Sequence, residues 1–111
     1  MPHCVIEHSS DIKPTAHIEQ VFKASLESTL FGNTGDDIKV RTMAFEDYRV
    51  GNSSKGFVHV EMKILSGRNQ AQKQSLSQLV LNRLQQLSLS ECSITVEIID
   101  MDRDSYAKAV A

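Results

Sequence analysis

The segment Phe57-Val58-His59-Val60-Glu61-Met62-Lys63-Ile64-Leu65-Ser66-Gly67-Arg68-Asn69-Gln70-Ala71-Gln72 decides the fold, because two periodicities meet inside it. Up to Leu65 the residues alternate, which puts Val58, Val60, Met62 and Ile64 on one face of a strand. Ser66-Gly67 ends that strand. Asn69 then offers a helix N-cap, and Gln72 stands three residues on, the spacing of a capping box. Behind it Leu76, Leu79, Val80, Leu84 and Leu87 recur at helical spacing, and Ile94, Val96 and Ile98 return to alternation. Residues 57–99 therefore read strand, helix, strand.

The same order occurs once before. Cys4, Val5 and Ile6 begin a short, largely buried strand, broken by Ser9-Ser10-Asp11. From Pro14 or Thr15 the spacing becomes helical, with Ile18, Val21, Phe22, Leu26 and Leu30 on one face and Glu19, Lys23 and Glu27 opposite. Gly32 suits the end of this helix. After the turn Asn33-Thr34-Gly35-Asp36-Asp37, the stretch from Ile38 to Phe45 alternates. Ile38, Val40, Thr42 and Ala44 point one way, and Lys39, Arg41, Met43 and Phe45 the other. Tyr48 and Arg49 lie near the strand end, and Gly51-Asn52-Ser53-Ser54 has hairpin-turn chemistry.

The chain is thus a single domain, 1–111, with an internal repeat of 2–48 and 57–99. Each unit brings its two strands parallel through a right-handed crossover. Two units side by side predict an α+β fold, a four-stranded mixed sheet with two helices on one face. Val, Met and Ile on strands with no third layer to meet them suggest that association covers the other face. Residues 102–110 are expected to form a last helical turn or a tail that docks on a neighbour.

Composition removes several functional classes. A formal charge of -2 and no basic cluster argue against nucleic acid as a partner. Cys4 and Cys92 form no CxxC pair and share no metal-ligand spacing, so no metal site is expected. Cys4, in an apolar strand, reads as a small buried hydrophobe. There is no charged-then-apolar leader and no apolar run of ~18 residues, which predicts a cytoplasmic protein with reduced thiols and no membrane partner. His3, His8 and His59 on strands read as structural histidines, and His17 as solvent-facing on its helix.

The start Met1-Pro2-His3 carries the sharpest chemical signal. Removal of Met1, which a small second residue permits, leaves a secondary amine at the head of a strand. An α-amino group titrates at roughly 7.7–8.0, and burial or a nearby cation moves it toward neutrality, where it can act as a general base. The plain alternative is that Pro2 follows the start residue and does no chemistry.

Specific segments now add a family. Ile64-Leu65-Ser66-Gly67-Arg68-Asn69-Gln70-Ala71-Gln72-Lys73-Gln74 resembles the "I-L-x-G-R-x-x-x-Q-K" of 4-oxalocrotonate tautomerase, and Asp36-Asp37-Ile38-Lys39-Val40 is similar to its "D-x-V-R-V". Over most of its length the chain resembles the 5-carboxymethyl-2-hydroxymuconate isomerases of the tautomerase superfamily. Those open Met-Pro-His, carry a strand like Phe57-Val58-His59, and have a "W-R" resembling Tyr48-Arg49. The resemblance implies a tautomerase-like fold assembled as a trimeric barrel, with an active site near each Pro2 and no metal or organic cofactor. It implies a cytoplasmic enzyme of aromatic-compound catabolism that moves a proton in 2-hydroxy-2,4-dienoates, with a dicarboxylate or tricarboxylate as substrate. Pro2 matches the family's base and Arg68 the arginine after its glycine. The family's other arginine falls at Lys39, which keeps the charge but loses the planar fork. Arg41, on the same strand face, can compensate. Phe57 occupies the position equivalent to Pro2 in the second unit, so one site per chain is expected, which suits a homotrimer. Two alternatives stay open: an N-terminal-proline hydratase or dehalogenase of small unsaturated acids, and a non-catalytic trimeric module binding small anions or a protein.

Overall fold

A computed structural model describes residues 1–111. The chain runs β1 (His3–Ser9), α1 (Thr15–Glu27), β2 (Lys39–Phe45), β3 (Gly56–Leu65), α2 (Gln70–Gln85) and β4 (Cys92–Met101). The strands form one sheet in the order β2-β1-β3-β4. β1 and β2 are parallel, as are β3 and β4, and the two units join antiparallel along β1 and β3. This is the mixed four-stranded sheet that the repeat requires.

One core lies between the sheet and the two helices. Cys4 and Ile6 of β1 and Val58, Val60, Met62 and Ile64 of β3 pack with Val21 and Ala24 of α1 and with Leu76, Val80 and Leu84 of α2. Fully burying an aliphatic side chain contributes about 1.5–3 kcal/mol, so these central residues hold the layers together. The helices are tied at their solvent edge by Arg83, which binds Glu27 at 3.0 Å. The α2 start is built as its sequence indicates, with the Asn69 side chain accepting from Gln72 N and the Gln72 side chain from Asn69 N.

Five expectations are corrected. First, α1 stops at Glu27, well short of Gly32, because Thr29 takes the left-handed conformation (φ 61°) that a glycine usually supplies. Leu30 and Phe31 then leave the helix. Second, His17 is 3% exposed and packed inward, since α1 turns that side of its first turns toward the strand ends. Third, Val58, Val60, Met62 and Ile64 of β3 are covered by the helices. The uncovered face presents His3, Glu7, Lys39, Arg41, His59, Glu61, Lys63 and Glu97 with Val5, Met43, Phe45, Phe57 and Ile99 among them, so these, and not the residues of β3 that face the helices, are the apolar groups left for association. Fourth, residues 102–111 form no helical turn; they run as an irregular tail back to the heads of β1 and β2. Fifth, β1 and β3 both turn their even-numbered side chains toward the helices, so Phe57, on the opposite face, is out of phase with Pro2, and Gly56 at the head of β3 is in phase with it.

Candidate active site

Antiparallel β1 and β3 bring the start of one strand beside the end of the other. Pro2 therefore sits where the heads of β1 and β2 meet the turn after β3. Its carbonyl accepts from Lys39 N at 3.2 Å, which stitches it to the head of β2, and its ring is fully buried. Lys39 Nζ lies 3.2 Å from Met1 Sδ. The Asp37 carboxylate stands 3.8 Å from the terminal nitrogen and binds Lys39 and Lys108 as well. Lys108 holds the Asp37 carboxyl below the usual carboxylate range.

Arg68 follows Gly67, whose φ of +127° only glycine adopts readily. That turn directs the guanidinium back under the sheet end. Its Nη2 donates to Leu30 O at 2.7 Å, its Nη1 to Leu65 O at 3.3 Å, and it lies over the Phe31 ring at 5.4 Å. The early end of α1 is what places Leu30 and Phe31 there. Arg68 is thus fixed by the fold, with guanidinium N–H groups left over for a ligand.

These charges act on the amine at the head of β1. Burial pulls the terminal ammonium below its ordinary value, Asp37 opposes that, and Arg68, Lys39 and Lys108 add to the lowering. Arg41 stands apart. It projects from the open sheet face, where its Nη1 donates to His3 Nδ1 at 3.2 Å. The structure therefore gathers Lys39 and Arg68 around the Met1-Pro2 end of β1 and leaves Arg41 on the open face, bound to His3. Sequence reasoning missed Phe31, Asp37, Tyr106 and Lys108. Asp37 had a signal, the acidic pair ahead of β2; the tail residues had none, since an irregular segment has no period to read.

Cys4 is fully buried, and burial pushes its thiol up to about 11, in keeping with a packing role. His59, Glu61 and Glu97 place donor atoms within 4.8 Å of one another on the open face. Both His59 nitrogens are already engaged, however, with Thr95 Oγ1 at 2.7 Å and Glu97 Oε2 at 2.5 Å. His59 is thus tied into a hydrogen-bonded network with Thr95 and Glu97, with no imidazole lone pair free for a cation. Pro2 lines none of the five concavities of the single chain. No helix is long and apolar enough to cross a membrane.

No curated protein matches the chain. Among solved structures it is similar to a 5-carboxymethyl-2-hydroxymuconate isomerase from Deinococcus radiodurans R1, with 18% identity, 97% of this chain and 88% of that one covered, and a TM-score of 0.79. It is also similar to the FG41 malonate semialdehyde decarboxylase inhibited by 3-bromopropiolate (14%, 96% and 88%, 0.73). A fused 4-OT described as a symmetric trimer matches at 14% identity, 96% and 91% coverage and a TM-score of 0.73. At such identities these likenesses establish the fold. The model of the 5-carboxymethyl-2-hydroxymuconate isomerase family matches residues 2–109, nearly the whole chain. The chain belongs to the 5-carboxymethyl-2-hydroxymuconate isomerase family, and its activity class is that of an isomerase of the tautomerase type.

Proposed function

We propose that the chain, once Met1 is removed, is a homotrimeric tautomerase acting on 2-hydroxy-2,4-dienoates such as 5-carboxymethyl-2-hydroxymuconate, in the breakdown of aromatic compounds. Pro2 is the general base. With Met1 in place its nitrogen is an amide and has no basic lone pair; with Met1 gone it is a secondary amine in the same surroundings. The observation that carries this reading is the electrostatics at the head of β1, where burial, opposed by Asp37 and helped by Arg68, Lys39 and Lys108, lowers the pKa of the Met1 amine; a Pro2 amine one residue further in would stand among the same groups. A base must be neutral near the working pH to accept a proton.

The amine takes the proton of the substrate's 2-hydroxyl. The electrons shift through the diene, and the proton returns at carbon 5 to give the 2-oxo-3-enoate. The formula is unchanged, and no oxidant or reductant enters. Lys39 and Arg68 hold the carboxylate beside the reacting oxygen and stabilise the dienolate charge; Arg41 meets a second carboxylate on the open face. Because Pro2 lines no concavity of the single chain, a neighbouring copy supplies the missing wall.

The test is ketonisation of 5-carboxymethyl-2-hydroxymuconate followed spectrophotometrically, with protein whose intact mass shows Met1 gone. Rapid turnover that vanishes when Met1 is retained, and falls severely in Pro2→Ala without loss of fold, is expected. No rate above buffer from folded protein with a free Pro2 sinks the isomerase reading.

A further inference from the structure

The tail beyond β4 has no part in the scheme above, yet it is fastened across the candidate site. Arg103 donates through Nε to Ser66 O at 2.9 Å and through its backbone N–H to Ser66 Oγ at 3.3 Å, next to the Gly67-Arg68 turn. Lys108 binds Asp37 beside the head of β2. Between these two fastenings lies Tyr106, which is half-buried where its neighbours in the tail are exposed. Its hydroxyl oxygen is 2.8 Å from His3 Nε2, and its ring meets the imidazole edge-on, with centroids 6.0 Å apart.

The proton count in this group is determined. Arginine only donates, so His3 Nδ1, 3.2 Å from Arg41 Nη1, must be an unprotonated acceptor. The neutral ring then carries its hydrogen on Nε2 and gives it to Tyr106 Oη. Tyr106 consequently accepts from His3, and its own O–H proton has no acceptor in the chain. The neighbours of His3 favour the neutral ring too: burial, Arg41 and Lys39 on β2, the terminal amine, and Lys63 on β3 all pull its pKa down. One histidine therefore orients two donors, the remaining N–H groups of Arg41 and the O–H of Tyr106.

We propose that Tyr106 and Arg41 form a carboxylate-binding pair for the far end of the substrate, with His3 as the positioning residue that holds both. The identity of the ligand rests on the tautomerase reading; the pairing of donors does not. An anionic oxygen is the natural occupant, since the pair offers a cation and a hydroxyl donor and no free acceptor. Tyr106 thereby brings the tail into substrate selection, favouring dienoates with a second carboxylate over those with one.

The test uses full-length protein with Met1 removed and the variants Tyr106→Phe and Ser105→Ala. The latter alters a neighbouring exposed hydroxyl that binds Asp102. Turnover of 5-carboxymethyl-2-hydroxymuconate and equilibrium binding of cis,cis-muconate, a dienedioate without the 2-hydroxyl, are measured. Loss of a hydrogen bond to a charged oxygen corresponds to about a tenfold or greater weakening. Tyr106→Phe should raise KM and the muconate Kd by that factor with kcat nearly unchanged, while Ser105→Ala changes neither. The imidazole nitrogen-15 spectrum of wild type should show His3 as the neutral tautomer protonated at Nε2. Unchanged KM and Kd in Tyr106→Phe, or His3 protonated at Nδ1, overturns the proposal and leaves the isomerase reading intact if wild type turns over. Muconate binding that weakens in Tyr106→Phe, in a wild type without turnover, sinks the isomerase reading and keeps the carboxylate pair. Wild type that binds neither acid overturns both.

Discussion

Replacing His17 by leucine should stabilise this protein, most of all in acid. His17 is 3% exposed, and its ring nitrogens make no well-formed hydrogen bond, only the Lys13 backbone lying near enough to act on the ring. A buried polar group left unsatisfied costs about 1–3 kcal/mol, and leucine removes that group while filling similar space. Burial lowers the imidazole pKa from its ordinary 6.5, and His8, the other buried imidazole, works in the same direction, against a smaller opposing pull from the Lys13 backbone. The sign follows from proton binding. Below 6.5 the unfolded chain takes up a proton that the folded chain refuses, so stability is full above that pH and falls as the pH drops toward the folded value. Each unit by which the folded pKa is depressed removes about 1.4 kcal/mol once both values are passed. Urea unfolding of wild type and His17→Leu at about pH 7.5 and about pH 5, at one protein concentration so that subunit association is held constant, reads both effects. The leucine variant should be more stable by about 1–3 kcal/mol at the higher pH, with a wider gap at the lower one. A variant less stable than wild type at both pH values, or one with the same acid slope, would refute the reasoning and show that the imidazole is satisfied.

Asn69→Ala removes the side-chain acceptor for Gln72 N, one half of the α2 capping box, and should cost about 0.5–2 kcal/mol in chemical denaturation. Leu84→Ala empties a fully buried site between the helices and the sheet and should cost about 2–5 kcal/mol by the same assay, with activity per folded molecule retained. Gly35→Ala asks alanine to adopt φ +82° and sets its Cβ 2.6 Å from the Phe22 ring; a loss of at least about 1–2 kcal/mol is expected from the backbone alone. In native protein a thiol reagent should modify Cys92 well before Cys4, because Cys4 is fully buried with its pKa raised to about 11; mass spectrometry of the labelled peptides checks the order.

Much of the architecture is legible in the residues because sheet and helix periods are local. Val58 to Ile64 alternate, Leu76, Val80 and Leu84 recur by turns, and both sets are buried as their spacing indicates. What fails to read depends on contacts far along the chain. Thr29 ends α1 in a conformation its type disfavours, so the stop at Gly32 was the reasonable expectation. His17 is drawn inward by the packing of α1 over the strand ends, which no local pattern announces. At the site, Pro2, Lys39 and Arg68 were legible through family segments, and the structure sets Lys39 and Arg68 around the Met1-Pro2 end of β1. Tyr106 and Lys108 were not, since their partners His3 and Asp37 lie at the opposite end of the sequence.

The β1–β3 seam has a consequence for how such a chain can arise and be taken apart. Val5 faces Glu61, Ile6 faces Val60, and Glu7 faces His59, so the two halves meet about a local two-fold axis. A seam of that symmetry is self-complementary, and a single half can in principle pair with a second copy of itself. Joining two halves into one polypeptide releases them from identity. One end then keeps proline and lysine at the strand heads, while the matching positions at the other end have become Gly56 and Ser93. Cleavage in the 46–55 connection should accordingly yield fragments that recombine, and each end of the molecule is free to mutate without a mirrored change in the other.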